Sequence, residues 1–301
     1  MAGLFSATFQ TKLTALMQQA VGSAFILKSV KPVSGGSICD SFVISDNLQA
    51  FFIKLTEARN HPMLCAEAAG LAALKHTQAV RVPEVITSGL VHNKSCLVLE
   101  WLPLKTGSDR SAKRLGEQLG ALHQQAVQPA FGWDQDTYLG TSLQPNTWQH
   151  NWIDFFSQQR LGHQLQQAKT QLGDSELNEL GEHLVSNIAQ FFSGYTPKPA
   201  LIHGDLWAGN WAMTDSDQPC IFDPAIYQAD REAELAMTHL FGGFPASFYQ
   251  AYQANWPLDE GYQQRQHLYL LYHLLNHANL FGQGYLIQAK QTLRHLINLL
   301  N

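Results

Sequence analysis

The sequence predicts an α+β chain of two lobes, a small β-rich lobe over residues 1–102 and a larger, mostly helical lobe over residues 103–301. Three observations carry that expectation. Short runs rich in β-branched and aromatic residues, punctuated by Gly, Asn, Asp and Pro, fill the first hundred positions, as strands and turns do. From about Ser111 onward, apolar residues recur every three or four positions, the helical period. The chain has 301 residues and 45% hydrophobic content, enough for two cores.

The elements follow in order. Residues 11–20 form an amphipathic helical pattern. Residues 24–33, 38–45 and 49–56 read as three strands, with Asp46-Asn47 as a hairpin turn between the second and third. A helix over 62–76 comes next, with Asn60 as its candidate cap and Pro62 in its first turn. Strands at 83–89 and 95–101 complete a five-stranded set, and Pro103 stops the pairing at a hinge over 100–103. The second lobe reads as helices at 112–124, 148–168, 175–192, 229–240, 247–253, 262–280 and 286–300. Short strands at 200–203, 211–213 and 220–222 interrupt them around a loop.

Composition excludes several classes. Charged residues are 14% and the net charge is −5, so a broad basic surface for nucleic acid is not expected. No apolar run reaches the roughly 18 residues of a membrane span, so no membrane partner is expected. Cys39, Cys65, Cys96 and Cys220 form no C-x-x-C pair, which points away from zinc and disulfides and toward a reducing cytoplasm.

The sharpest segment is His203-Gly204-Asp205-Leu206-Trp207-Ala208-Gly209-Asn210. Its Asp and Asn stand five residues apart after a short strand, the spacing of a kinase catalytic loop. In such a loop Asp205 accepts the proton of an attacking hydroxyl and Asn210 holds magnesium. Thirteen residues on, Asp223 ends an apolar run before Pro224, where an Asp can bind the metal that bridges ATP phosphates. Lys54 sits in a strand with apolar neighbours on both sides, and Glu67 falls on the helix stripe of Leu64, Leu71 and Leu74. Each buried charge needs a partner, and a Lys54–Glu67 pair supplies both while positioning the nucleotide phosphates. Ser34-Gly35-Gly36-Ser37 is a candidate loop over those phosphates. Cys39, just beyond, reads as a small buried hydrophobe ahead of a redox group. The strand ending at Glu100 runs into Leu102, where backbone groups are expected to hold the adenine.

The segments HGDLWAGN, FDPAIYQADREAELAMTHLFGGF and LYLLYHLLNHANLFGQGY resemble the fructosamine kinase (ketosamine kinase) family, as do SGGSI, FFIKL and the stretch around 131–165. The resemblance covers roughly residues 23–285. It implies a protein-kinase-like two-lobe fold, with ATP and Mg2+ as cofactors. The implied reaction is phosphorylation of a sugar hydroxyl of a ketoamine or other glycated amine, in deglycation. Carried over, Asp205 is the base, Asn210 and Asp223 hold metal, Lys54 and Glu67 position phosphates, and Gly35 and Gly36 cover the nucleotide. Asp230 is expected to cap a helix and pin the catalytic loop, with His203 in a packing and hydrogen-bonding role. The aromatic residues and histidines of 268–281 are expected in the core, and Trp207 against the substrate. The rival expectations are a kinase of the same fold acting on choline or an aminoglycoside, and a non-catalytic pseudokinase. The Trp two residues after Asp205 argues against the first. The intact Lys54, Asp205, Asn210 and Asp223 argue against the second.

Overall fold

The computed structural model describes residues 5–33, 38–125 and 128–300. Gly35 and Gly36 lie outside the described residues. Helix α1 (Ala7–Val21) precedes strands β1 (Ser29–Pro32), β2 (Asp40–Ser45) and β3 (Ala50–Glu57). Helix α2 (His61–Thr77) then leads to β4 (Val85–Val91) and β5 (Lys94–Glu100). The five strands form one antiparallel sheet in the order β1-β2-β3-β5-β4. The alternation along β3 decides its faces. Ile53 and Leu55 pack with Phe9, Leu13 and Met17 of α1, while Lys54 between them points to the other side.

Helix α2 belongs to a different core. Its Leu64, Leu71 and Leu74 pack with Leu97 and Leu99 of β5, and also with residues from beyond the sheet, including Leu115 and Leu119 of α3 (Asp109–Gln124) and Leu201. A Cβ at Gly70 would stand 3.2 Å from Cγ of Pro224, so the helix backbone lies directly on the segment that follows Asp223.

The second half is mostly helical. After α3 comes a hairpin of β6 (Thr137–Leu139) and β7 (Ser142–Gln144), then α4 (Trp152–Phe155), a π-helical turn over Phe156–Gly162, α5 (His163–Gln171) and α6 (Ser175–Asn187). Strands β8 (Pro199–Ile202), β9 (Trp211–Met213), β10 (Pro219–Ile221) and β11 (Tyr227–Asp230) make two small ladders, β8 with β11 and β9 with β10. Helices α7 (Arg231–Thr238), α8 (Ala246–Asn255), α9 (Tyr262–Phe281) and α10 (Gln283–Leu300) complete the chain. No described helix is long and apolar enough to cross a membrane.

Three local expectations are corrected, and one element is added. Residues 229–230 are strand, because they pair with Ala200 and Pro199 of β8, and the helix begins only at Arg231. The helix expected over 148–168 begins at Trp152, where the Asn151 side chain caps it, and widens to a π-turn around Arg160. That guanidinium is fully buried, donates to Pro145 O and Asn146 Oδ1, and lies 3.9 Å from the Tyr227 ring centre. Asn60 occupies the N-cap position of α2 but its amide donates to Thr56 Oγ1 at 3.0 Å and caps nothing. The β6–β7 hairpin carried no strand signal, since three-residue strands are too short to show a period of two.

Candidate active site

Between the sheet and the helical half lies a cleft of about 1040 Å³, and Lys54, Glu67, Asp205, Asn210 and Asp223 all line it. Lys54 is 7% exposed. Its Nζ donates to Glu67 Oε1 at 2.7 Å and to Asp223 Oδ1 at 2.7 Å. Burial works against its charge, but the two carboxylates outweigh it and hold the ammonium well above its ordinary value. Burial pushes the Glu67 carboxyl up, and Lys54 pulls it back. The cation thus ties β3 to α2 and to the loop after β10.

The loop after β8 is fixed by its backbone. Glu234, buried on α7, accepts the N–H of His203 through Oε2 and of Gly204 through Oε1, the latter at 3.1 Å. Gly204 has φ +84°, and a Cβ there would stand 2.1 Å from the carbonyl oxygen of Ala225, so no other residue fits. His203 Nε2 lies 2.9 Å from Phe222 O, which requires the proton on Nε2. Its Nδ1 then accepts the Asp205 N–H at 3.3 Å. Burial keeps this ring neutral. His203 is therefore the packing and hydrogen-bonding residue expected.

Asn210 Nδ2 donates to the main-chain oxygen of Asp205 at 2.7 Å and to its Oδ2 at 3.2 Å. Burial first, then the charge of Asp223, pushes the Asp205 carboxyl well above the usual carboxylate range. Asp223 has φ +61°, a left-handed backbone that Asp tolerates better than most side chains. Hydrogen bonds on both sides hold it there, Phe222 N–H to Asn210 O at 3.0 Å and Ala225 N–H to His203 O at 2.8 Å. From below, Gln144 of the hairpin donates to Ala225 O at 3.1 Å, and the Tyr272 hydroxyl donates to Gln144 Oε1 at 2.8 Å.

At the other end of the cleft, the Glu100 carboxylate is taken by Arg81, at 2.6 and 2.5 Å, and by the Glu84 N–H. Its own N–H donates to Glu84 O at 2.8 Å, so the side chain and the amide are both engaged within the protein. Leu102 lines the cleft too, and its N–H donates to nothing among the described residues. Cys39 is half-buried there, and burial pushes its thiol up to about 11, so it stays protonated near neutral pH. Trp207 is half-buried, with its ring over Gly209 and edge-on to Phe241 at 5.5 Å.

Two expectations change. Asp230 does cap α7, accepting the Glu232 N–H at 3.0 Å and the hydroxyls of Tyr195 and Tyr269 at 2.9 and 2.6 Å. It does not hold the catalytic loop, because that contact belongs to Glu234, one turn further along α7. And α9 is not all core: Tyr269 and Tyr272 are buried, but His273, Asn276, His277 and Phe281 line the cleft. Glu234, Arg81 and Gln144 had no sequence signal specific enough to single them out.

A family profile of fructosamine kinases matches residues 9–299. Among curated proteins, a candidate ketoamine kinase of Synechocystis sp. is 44% identical over 283 residues, covering 94% of this chain and 95% of that one. A chloroplastic protein-ribulosamine 3-kinase of Arabidopsis thaliana is 36% identical over 281 residues, covering 93% and 86%. Among solved structures, a candidate fructosamine-3-kinase of Haemophilus somnus superposes with a TM-score of 0.88 at 32% identity, covering 97% of this chain and 99% of that one. An aminoglycoside phosphotransferase superposes with a TM-score of 0.62 at 12% identity, a likeness of fold alone. The architecture is thus the protein-kinase-like one, a five-stranded sheet set against a mostly helical half.

Proposed function

The chain belongs to the fructosamine kinase family, and from that premise we propose how its residues divide the work of phosphorylating a ketoamine. It is an ATP-dependent phosphotransferase acting on a hydroxyl of a sugar amine. The observation that carries the division is Lys54, clamped between Glu67 and Asp223 in the same cleft as the Asp205–Asn210 pair. Residues 1–102 serve as the lobe that holds the nucleotide, with Gly35 and Gly36 over its phosphates and the backbone of Glu100 and Leu102 against its adenine. Residues 103–301 bring the base and the acceptor.

In the reaction the acceptor hydroxyl oxygen bonds to the γ-phosphorus, the bond from that phosphorus to the β-bridging oxygen breaks, and ADP leaves. Asp205 takes the hydroxyl proton. The Asn210 amide holds Oδ2 of that carboxylate in place. Lys54 orients the phosphates, and Glu67 keeps Lys54 in place. Trp207 offers a flat apolar surface to the C–H face of the sugar, two residues from the base.

The donor set fits magnesium. Asn210 spends its amide protons on Asp205, leaving Oδ1 free of described partners, and Asp223 likewise keeps Oδ2. Oxygen donors that leave room for phosphate and water are what this ion takes, so Asn210 and Asp223 are the residues that would hold it. When bound, it neutralises charge on the transferring phosphoryl group.

Phosphorylation of a ketoamine sugar destabilises the adduct and returns the free amine, which supports a role in deglycation. Four free cysteines and the demand for ATP support a cytoplasmic setting. The test is an ATP-consumption screen of the purified protein against fructose- and ribulose-derived lysine adducts, the free amines, choline and aminoglycosides. Turnover of ketoamines with none on the free amines is expected. Transfer to choline or an aminoglycoside with every ketoamine untouched overturns the substrate assignment.

A further inference from the structure

This inference rests on the ketoamine reading and concerns the aromatic residues of the cleft that adjoin Trp207. Phe241, Gly242 and Gly243 have φ of +55°, +101° and +75°, three successive residues in left-handed backbone. Glycine adopts that conformation freely, but phenylalanine does so only under strain. Burial does not account for it, since Phe241 remains 40% exposed. The strained turn instead presents the ring to a cluster. The ring centre of His277 lies 5.1 Å away and that of Tyr285 6.4 Å away, with the Tyr285 ring at 88° to it. His277 and Tyr285 are 5.0 Å apart. All three line the cleft that holds Asp205.

His277 Nδ1 lies 2.8 Å from the main-chain oxygen of His273, so its proton is on Nδ1. Its Nε2 lone pair has no partner among the described residues. Burial pushes the imidazolium down and keeps the ring neutral. No carboxylate joins this corner. Among the described residues, the acids that line the cleft are Glu67, Glu100, Asp205 and Asp223. Of these, Glu67 and Asp223 are paired with Lys54 and Glu100 with Arg81.

We propose that Phe241, His277 and Tyr285 form the subsite for the ammonium of the ketoamine, with the cation against the ring faces and one of its N–H groups donating to His277 Nε2. The acceptor's charge is met by π-faces and a neutral lone pair where an ion pair would otherwise be needed. An aromatic corner of this kind discriminates a charged amine from a neutral isostere. A carboxylate is left free to act only at Asp205, where a strong ion pair with the substrate would compete with proton acceptance.

The experiment compares two acceptors, the fructose adduct of Nα-blocked lysine and a 1-O-alkyl fructose ether of the same length that has the sugar and chain but no ammonium. For the unmodified protein, kcat/KM for the amine should exceed that for the ether by about 3- to 30-fold, the range of a cation over an aromatic face. Phe241→Leu keeps an apolar side chain and the same backbone strain but lacks a π-face. It should bring the ratio toward one without changing the melting temperature. Phe241→Gly should do the same with an equal or higher melting temperature, because the strain is relieved. A ratio unchanged in Phe241→Leu shows that the ring is packing only and overturns the proposal. Equal turnover of amine and ether by the unmodified protein also overturns it, while leaving the ketoamine reading intact. If neither these compounds nor the ribulose-derived lysine adduct is turned over, the ketoamine reading itself falls and the subsite with it.

Discussion

Glu234→Gln is the most informative single change, because it alters charge and donor pattern without altering volume. In the native loop both carboxylate oxygens of Glu234 accept main-chain N–H groups, from His203 and Gly204, and the residue is 1% exposed. A glutamine can offer one oxygen. Its NH2 then faces the other N–H, so one charge-assisted bond weakens, a second is lost, and a buried donor has no acceptor. Bonds to a charged group contribute about 1.5–3 kcal/mol each, and an orphaned buried donor costs about 1–3 kcal/mol. The expected loss is therefore about 3–5 kcal/mol, a large part of the ~5–15 kcal/mol by which proteins are stable. The loop carries Asp205 two residues from His203, so a shift of about an ångström there should also lower kcat by roughly 10²-fold. ATP binding should persist, because Lys54, Glu67 and Asp223 do not touch Glu234. Urea denaturation followed by circular dichroism measures the first effect, and steady-state kinetics on a turned-over ketoamine the second. A stability loss under 1 kcal/mol together with unchanged kcat would refute the assignment of Glu234 as the anchor of the loop.

Further outcomes follow from the same geometry. Asp205→Asn should lower kcat by about 10²–10⁴-fold with ATP still bound, and near-native turnover would remove Asp205 from the mechanism. Asp223→Ala should abolish activity even at saturating ATP, Asn210→Ala should be milder and partly restored by high magnesium, and activity surviving in EDTA would refute both metal assignments. Lys54→Met and Glu67→Gln should each destabilise the protein, while the double change recovers part of the loss but no activity; strict additivity in denaturant titrations would show that the two do not interact. Gly204→Ala should fail to accumulate as folded protein or do so without activity, since its methyl would stand 2.1 Å from Ala225 O, and a stable, active Gly204→Ala would show that the loop has room to move.

The parts legible in the sequence were those written in local periodicity. Lys54 and Glu67 could be paired because each broke an apolar pattern whose period fixed its direction, and the structure brings them to 2.7 Å. The Asp205–Asn210 spacing was likewise a property of one loop. What escaped detection depends on distant backbone. Glu234 matters because β8 and β11 bring His203 and Gly204 over α7, and nothing in the helix itself marks an acceptor for main-chain N–H groups. Residues 229–230 read as helix because a fully buried strand and a buried helix share the same composition. Phe241 looked like any aromatic in a glycine-rich turn, since a positive φ leaves no trace in residue type beyond the glycines after it. His277 and Phe281 share helical spacing with true core residues, and only the position of the cleft separates them.

The seat of α2 has a consequence for how the enzyme is governed. In protein kinases the position of the corresponding helix controls whether its glutamate meets the lysine. Here Leu64, Leu71 and Leu74 are at most 1% exposed, in a core shared with α3 and Leu201, and Gly70 rests on Pro224. Swinging the helix out would uncover three leucines at about 1.5–3 kcal/mol each, together roughly 5–9 kcal/mol, as much as a whole domain's margin of stability. An idle state at that energy is populated less than once in about a thousand molecules. The Lys54–Glu67 pair is thereby in place before any ATP or glycated amine arrives at the cleft.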